Sequence, residues 1–286
     1  MVTVLMSVYN TPATLLHRAI RSVLQQTYSD FEFLILDDGS ERVEIDERDS
    51  RIRCRREPHR GLTATLNLGL ALARGEFIAR QDADDWSEPQ RLERQVGFLG
   101  DHPEIALLGT AAWTHQRDGT PLWRVRMPET HAEILDAFPR RNPFVHGSVM
   151  FRTQAARGAR GYREDLPCAQ DYDFFWRLAG KHGAANLRHP LYHYRYTPFG
   201  VSARRAAEQA RGMVAVRQSF EWRPEDELRA ALKQADHLML AGDYRAAARE
   251  YGTTLRAHPG SLLAWGKLAR LGVFRFAPPL RELCFR

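Results

Sequence analysis

Long apolar runs and paired cysteines are both missing from this sequence of 286 residues. Because no apolar run reaches the length of about 18 residues that a membrane-spanning helix needs, no such helix is expected. The first residues lack a basic segment and a cleavage site, which argues against export. The three cysteines, Cys54, Cys168 and Cys284, lack the paired spacing of a zinc site or a disulfide framework. We therefore expect a cytoplasmic protein in reducing surroundings.

Lysine is also scarce, since only three of the 41 cationic side chains are lysines and the others are arginines. Residues 1–200 contain 26 cationic and 26 acidic side chains, whereas residues 201–286 contain 15 and 9, so the net charge of +6 lies in the last third. A basic tail can meet nucleic acid, an anionic membrane or a partner protein, or it can be a solvated helical face. No aromatic stacking surface and no known nucleic-acid-binding motif accompanies these cations, so we expect no nucleic-acid partner.

The first hundred residues alternate between short apolar strands and helical segments. Strands are predicted near residues 2–8, 31–36, 51–55 and 76–80, and helices near 12–26, 62–73 and 88–99, with Thr11 as the first N-cap. This alternation predicts an α/β fold with a parallel sheet and helices on both faces. Residues 105–155 are more β-rich and irregular, so we expect a second half that packs onto the first, followed by a short amphipathic helix at 171–180.

Polar clusters follow three of the predicted strands: Tyr9-Asn10, Asp37-Asp38 and the acidic residues at 82–85. In parallel sheets, ligands bind beyond the carboxyl ends of the strands, so these clusters predict one site. The three carboxylates at 82, 84 and 85 repel one another unless a cation lies among them or water screens them. A divalent-cation site and a solvated turn both satisfy this condition.

Five segments carry a specific resemblance through their order and spacing. They are SVYNT at 7–11, AIRSVLQQTYSDFEFLILDDGS at 19–40, GLTATLNLGLALARGEFIARQDADDWSEPQRLERQ at 61–95, NPFVHGSVMFR at 142–152 and AQDYDFFWRLA at 169–179. Over about residues 1–200 the sequence closely resembles the inverting, nucleotide-sugar-dependent glycosyltransferases of family 2. The resemblance implies a GT-A fold, the Rossmann-like α/β domain of nucleotide-diphospho-sugar transferases, with a nucleotide-binding half at 1–105 and an acceptor half at 106–200.

The resemblance also implies a metal site in the acidic segment. A cation held by a D-x-D pair would bridge the donor phosphates and stabilise the leaving diphosphate. Asp84 matches the metal ligand, and Asp82 matches a residue that reaches the metal, its water shell or the ribose. Mn²⁺ or Mg²⁺ suits such an oxygen-rich site. Asp85 could belong to the site or cap the helix that follows.

The nucleoside is expected beside the first two strands. Asp38 matches the base-reading aspartate of the family, whose carboxylate accepts a hydrogen bond from the imide N–H of uracil or thymine. Ser7 and Tyr9 would flank the same nucleoside. Arg60 and Asn67 lie in a segment that often lines the nucleotide site, although either could be a plain surface or helix-face residue. An ordinary acidic turn is the alternative for Asp38.

Asp171 matches the catalytic base, which takes the proton of the acceptor hydroxyl during the inverting attack. A helix N-terminus at this point would stabilise an ionised carboxylate, and the alternative is a helix N-cap. Relatives commonly have Glu before this Asp, whereas Gln170 stands here. Asp173, which completes a second D-x-D pair, is expected to be structural. His146 is expected near the sugar or the acceptor, or packed beside a strand.

The third metal ligand is unassigned. Many relatives carry a histidine shortly after the segment that corresponds to residues 194–196, but Thr197 stands here and His189 and His193 come earlier. Arg195 could neutralise phosphate instead.

We therefore predict a metal-dependent inverting glycosyltransferase that uses a nucleotide-sugar donor, UDP-based by the resemblance. The acceptor would be a glycan or a lipid-linked glycan in cell-surface polysaccharide biosynthesis. A phosphatase of the haloacid-dehalogenase type fits less well, because Asp85-Trp86 stands where a Thr or Val should follow. A nucleotidyltransferase needs a Gly-rich loop that SVYNT lacks. A non-catalytic scaffold on a transferase fold is the third alternative.

The C-terminal region at 201–286 lies outside the resemblance and is predicted to be helical. The spacing of one tetratricopeptide-type helical hairpin fits Gly242, Tyr244, Ala247, Tyr251 and Pro259, with Trp265 and Leu268 at the start of another. Contact with a protein partner or with the anionic inner face of the membrane is the corresponding hypothesis. The membrane contact would use Phe274, Phe276 and Leu280 among Arg275, Arg281 and Arg286. Equal binding of anionic vesicles by a chain that ends near residue 198 would contradict it.

Overall fold

The computed structural model describes residues 1–43, 45, 48–116, 118–166, 168–196, 206–218, 224–261 and 263–267. The chain divides into two compact units. The first contains the described residues within 1–138, 142–165 and 170–196, and the second those within 139–141, 166–169 and 206–267. The predicted domain boundary at 198–200 lies outside the described residues and stays a prediction.

Nine strands and six α-helices are found among the described residues of the first unit. The strands are β1 (Val2–Val8), β2 (Phe31–Asp37), β3 (Ile52–Arg56), β4 (Phe77–Asp82), β5 (Trp86–Ser87), β6 (Ile105–His115), β7 (Pro121–Val125), β8 (Met150–Arg152) and β9 (Gly183–Arg195). The helices are α1 (Ala13–Leu24), α2 (Leu62–Leu72), α3 (Arg91–Asp101), α4 (His131–Ala137), α5 (Thr153–Gly158) and α6 (Gln170–Ala179), with a 3₁₀ turn at His146–Ser148.

These strands form one mixed sheet. Its order is β3-β2-β1-β4-β8-β6-β9-β5, with β7 paired to β6. The first four strands in this order are parallel, as predicted, whereas β8 runs antiparallel between β4 and β6. The second half of the unit therefore continues the sheet of the first half edge to edge, instead of packing onto it as we expected.

The central strands of the first unit, β1 and β2, lie in its hydrophobic core. Six of the seven residues of β1 and all seven of β2 are buried, which is the continuous pattern of parallel strands covered on both faces. The buried face of α1 consists of Leu16, Ala19, Ile20 and Val23. Pro12 occupies the N-cap position of α1 without a side-chain hydrogen bond, so the prediction of Thr11 as the cap is wrong. Because proline has a fixed φ and no N–H, the helix begins after it.

The C-terminal part of the second unit, residues 206–267, is mainly helical where it is described. It contains α7 (Ala206–Gln218), α8 (Pro224–Leu240) and α9 (Tyr244–Ala257). Helices α8 and α9 form a hairpin that turns at Gly242, whose φ of 82° favours glycine. Ala247 and Tyr251 are fully buried in its core, and the Tyr251 hydroxyl donates to Asp236 Oδ1 at 2.6 Å. The tetratricopeptide resemblance itself stays a prediction.

The predicted membrane-contact residues at 274–286 lie outside the described residues, as does Leu268, so that hypothesis also stays a prediction. Within the described helices, none combines the length and the apolar character needed to cross a membrane.

Candidate active site

The carboxyl ends of β1, β2 and β4 meet at one edge of the sheet. Ser7 lies in register with Leu36 of β2 on one side and with Asp82 of β4 on the other. The loop that follows β1 is tied to the loop that follows β2, because the Asn10 N–H donates to Ser40 Oγ at 2.9 Å. The three polar clusters therefore share this edge, as the sequence predicted.

Asp82 is paired with a buried arginine. Arg80 is fully buried, and its Nη2 donates to Asp82 Oδ1 at 2.6 Å. Its Nη1 donates to the carbonyl oxygens of Leu5 and Gln81 at 2.8 and 3.2 Å. Because these backbone contacts fix the guanidinium, Arg80 holds Asp82 in one orientation and balances its charge.

Gly147 allows a close approach to the other oxygen of Asp82. A Cβ at this position would lie 2.6 Å from Asp82 Oδ2 and 2.0 Å from the Tyr192 hydroxyl oxygen. Any larger residue would displace both groups, so the 3₁₀ turn requires glycine here.

Asp85 is buried and held by β9. Its Oδ1 accepts the N–H of Arg195 at 2.8 Å, and its Oδ2 accepts the hydroxyl of Tyr192 at 3.0 Å. Burial, followed by the charges of Asp84 and Asp82, raises the pKa of Asp85 well above its ordinary value. The alternative in which Asp85 caps the following helix is wrong, because both of its oxygens bind β9.

Asp84 is the exposed member of the three. Desolvation by the surrounding protein, followed by the charge of Asp82, raises the pKa of Asp84. Its main-chain oxygen accepts a hydrogen bond from Arg195 Nε at 3.2 Å. A cation at this point would relieve the repulsion between Asp84 and Asp82.

The carboxylates present fit a divalent cation that takes part of its coordination from the protein and part from a substrate. Within the part of the chain that is described, no three His, Cys, Asp or Glu side chains converge to hold a metal by themselves. Cations such as Mg²⁺ and Mn²⁺ are commonly held by one or two carboxylates and complete their coordination with water and substrate phosphates. The carboxylate of Asp84 and Oδ2 of Asp82, the oxygen that Arg80 does not bind, can supply those ligands.

Asp38 is buried and binds the loop at 59–61. Its Oδ1 accepts the N–H of Arg60 at 2.8 Å, its Oδ2 accepts the N–H of Gly61 at 3.0 Å, and His59 Nδ1 lies 2.9 Å from Oδ2. Because a carboxylate offers about four lone-pair sites, about one is left for a ligand. Tyr9 is exposed and stacks on His59, with ring centroids 4.1 Å apart. The Arg60 side chain is exposed.

Asn67 bonds within the protein instead. Its Nδ2 donates to the Tyr162 carbonyl oxygen at 2.9 Å and to Glu164 Oε1 at 3.0 Å, while its Oδ1 accepts the Tyr162 N–H at 2.9 Å. These bonds tie α2 to the loop before α6, so the place of Asn67 at a nucleotide stays a prediction.

His146 connects the acidic segment with Tyr162. Arg80 Nε donates to His146 Nε2 at 3.4 Å, and the Tyr162 hydroxyl lies 3.1 Å from the same nitrogen. Burial, followed by the charge of Arg80, lowers the pKa of His146. The ring is therefore neutral at physiological pH and accepts on Nε2.

Asp171 stands in the first turn of α6, where Asn142 Nδ2 donates to its Oδ2 at 2.8 Å. Because the helix begins one residue earlier, Asp171 is not its N-cap. The charges of Asp171 and Asp82 both act on His146 and on Tyr162. The predicted base and Asp82 are therefore both within electrostatic range of His146 and Tyr162.

His193 is committed elsewhere. Its Nε2 lies 2.6 Å from Glu88 Oε1, its Nδ1 lies 2.9 Å from His115 Nε2, and its ring stacks on Trp86. Thr197 lies outside the described residues, so the third metal ligand stays unassigned. The cation that the structure puts beside Asp84 is Arg195.

Arg80, Asn142 and Tyr192 are among the residues of this site that escaped the sequence analysis. The sequence could have indicated Arg80, because it is a charged residue in a predicted apolar strand, and such a residue is rarely buried without an ionic partner. Asn142 and Tyr192 come from distant segments, and only the tertiary structure brings them to Asp171 and Asp85.

The sequence profile described as "Glycosyl transferase family 2" matches residues 3–161. The chain belongs to glycosyl transferase family 2. The family 2 match contains Asp38, Asp82, Asp84 and His146 and ends before Asp171. The putative glycosyltransferase EpsE of Bacillus subtilis is 35% identical over 170 residues, which are 57% of this chain and 60% of EpsE. The amylovoran biosynthesis glycosyltransferase AmsE of Erwinia amylovora is 30% identical over 197 residues, which are 65% of this chain and 73% of AmsE.

Solved structures establish the GT-A fold of this family 2 chain. S. aureus TarS in complex with UDP-GlcNAc aligns with a TM-score of 0.64 at 16% identity, over 90% of this chain and 81% of the TarS chain. The mannosyltransferase PcManGT from Pyrobaculum calidifontis, in complex with GDP-Man and Mn²⁺, aligns with a TM-score of 0.58 at 19% identity, over 99% and 82%. At these identities the likeness shows the fold alone.

Proposed function

We propose that this chain is a metal-dependent inverting glycosyltransferase. It transfers a sugar from a nucleotide-sugar donor, UDP-based, to a hydroxyl of a glycan or lipid-linked acceptor in cell-surface polysaccharide biosynthesis. The observation that carries the proposal is that the three neighbouring carboxylates at 82, 84 and 85 have different partners and different exposure to solvent. Arg80 holds Asp82 and β9 holds Asp85, whereas Asp84 faces solvent with a raised pKa. Protein that only needed a solvated turn would leave all three exposed.

The comparisons support the chemical class. Family 2 membership supports glycosyl transfer, and the name of AmsE supports a role in polysaccharide synthesis. TarS was solved with UDP-GlcNAc, which supports a uridine donor, although PcManGT was solved with GDP-Man. On this chain, Asp38 would accept the imide N–H of the base, Tyr9 would stack on the ring, and Ser7 would lie between them.

Bound Mn²⁺ or Mg²⁺ would supply positive charge for the leaving diphosphate. Asp84 would hold the cation directly, and Asp82 would contribute Oδ2 or bind the cation through water. Asp85 fixes the turn by its two bonds to β9. Arg195, whose Nε already bonds beside Asp84, would contact the phosphates.

Asp171 would act as the base. Its Oδ2 is occupied by Asn142 Nδ2, which orients the carboxylate and leaves Oδ1 to take the proton of the acceptor hydroxyl. The neutral ring of His146, which is within electrostatic range of Asp171 and Asp82, would order the donor sugar or the incoming hydroxyl through a hydrogen bond.

Calorimetric titration with UDP in the presence of Mn²⁺ tests the proposal. Asp84→Asn removes the exposed ligand, so the Kd of UDP with Mn²⁺ should rise by about 100-fold or more. Asp101→Asn, a change at an exposed aspartate at the end of α3, is the matched control and should leave the Kd unchanged. Equal UDP affinity of the wild-type protein in Mn²⁺ and in EDTA would refute the metal-dependent mechanism.

A further inference from the structure

Tyr192 and Tyr194 alternate along the end of β9, and Tyr196 directly follows its last residue, Arg195. The Tyr196 N–H donates to the His115 carbonyl oxygen at 2.8 Å, which continues the pairing with β6. Because successive residues of a strand point to opposite faces, the three tyrosines share one face of the sheet. Tyr192 is buried with its hydroxyl on Asp85, whereas Tyr194 and Tyr196 are 36% and 43% exposed. The tyrosines therefore lead from the acidic segment out to solvent.

Trp123 of β7 extends this face. Its N–H and carbonyl both bond with the Thr114 hydroxyl, and Thr114 lies in register with Tyr194. The Trp123 side chain is 50% exposed, and its ring centroid lies 5.7 Å from that of Tyr196. We call Trp123, Tyr194 and Tyr196 the aromatic platform.

The aromatic platform borders the candidate active site. Arg195, which separates its two tyrosines in sequence, binds Asp85 through its N–H and the Asp84 carbonyl through its Nε. Burial, followed by the charges of Asp85, Asp82 and Asp84, raises the pKa of Tyr194 to about 12. The acidic segment and the platform are thus within electrostatic range of each other.

We infer that the aromatic platform binds a sugar ring of the acceptor. This inference rests on the proposed function and deepens it, because it assigns the acceptor a carbohydrate end instead of a peptide or a bare lipid. A pyranose presents a face of C–H groups that packs on an aromatic ring, and hydroxyls at its rim that bond with polar neighbours. The platform offers exposed rings and two phenol groups in the same place.

The size and the charge of the surface favour this ligand over two other occupants. The three half-exposed rings present on the order of 300 Å², given the area of aromatic side chains. A second copy of the chain would need about 800 Å² for a stable interface. An anionic membrane would meet the exposed carboxylate of Asp84 next to the platform and be repelled.

Saturation-transfer difference NMR on the full chain tests the inference without requiring sugar transfer. The probes are methyl β-D-glucopyranoside, methyl β-D-galactopyranoside and methyl α-D-mannopyranoside. The wild-type protein should saturate the axial C–H protons of at least one of them. Trp123→Ala and Tyr196→Ala should each weaken that binding by about tenfold, whereas Tyr196→Phe, which keeps the ring, should retain most of it.

Trp113→Ala is the matched control, since Trp113 is an exposed tryptophan on the neighbouring strand whose side chain points to the opposite face. Absence of saturation transfer from every probe, or equal transfer in wild type and Trp123→Ala, would overturn the inference. Calorimetry with UDP and Mn²⁺ on the same variants separates the two failures. If UDP binds normally but the platform variants do not change the saturation transfer, only the acceptor site is overturned. If UDP does not bind, the proposed function is overturned.

Discussion

Two aspartate pairs in this chain have the same D-x-D spacing and different surroundings. At the end of β4, Asp82 is bound by Arg80 and Asp84 faces solvent. Both carboxylates remain close enough for the charge of Asp82 to raise the pKa of Asp84. Asp84 is therefore the exposed carboxylate of the pair, and a cation beside it would relieve this repulsion.

The second pair lies in the first turn of α6. Asp173 is 1% exposed and pairs with Arg177 at 2.7 Å and with Arg163 at 3.6 Å. Within the part of the chain that the structure describes, Asp171 is hydrogen-bonded by a neutral partner, the amide of Asn142. Residues two apart on a helix point about 200° apart, so one enters the core and the other faces the site. The same spacing thus gives a shared site at a strand end and two separate roles on a helix.

The largest expected effect is on catalysis and comes from Asp171→Asn. We expect kcat to fall by about 10²–10⁴-fold, because the amide cannot take the proton of the acceptor hydroxyl. The Kd of UDP with Mn²⁺ should be unchanged. A wild-type transfer rate in this variant would contradict the role of Asp171 as the base and leave no functional difference between Asp171 and Asp173.

The next effect is on stability and comes from Asp173→Asn. Removal of this charge leaves Arg177 and Arg163 without their shared carboxylate, so the free energy of unfolding should fall by about 2–3 kcal/mol. Denaturant titration measures this loss, while kcat on the folded fraction should stay near the wild-type value. A collapse of kcat with unchanged stability would show that Asp173, too, belongs to the active site.

The smallest effect concerns His146, on which the charges of one member of each pair, Asp82 and Asp171, act. Its pKa is lowered from the ordinary value of 6.5, so the unfolded chain binds this proton more readily than the folded protein does. Stability should therefore fall as pH drops below about 6.5, by at most about 1.4 kcal/mol for each pH unit. Denaturant titrations at about pH 7 and pH 5 should show a smaller loss for His146→Gln than for wild type. Identical losses would contradict the assigned environment.

Much of the first unit could be predicted because its local signals agree. Continuous apolar runs gave β1 and β2 within one residue of their observed ends, and the segment at 62–73 gave α2. The edge of the sheet at which we expect the ligand followed from strand polarity alone. The continuation of the sheet through β8 and β6 could not be predicted in this way, because antiparallel pairing of a three-residue strand depends on contacts between segments that are far apart in sequence.

The sequence by itself determined the residue types of the candidate site, since its motifs place Asp38, Asp82 and Asp84 after predicted strands and Asp171 at the start of a predicted helix. Only the tertiary structure decided which carboxylates are free to act. Whether an aspartate faces solvent or an arginine depends on partners from other strands and helices, and those partners meet only when the chain is folded.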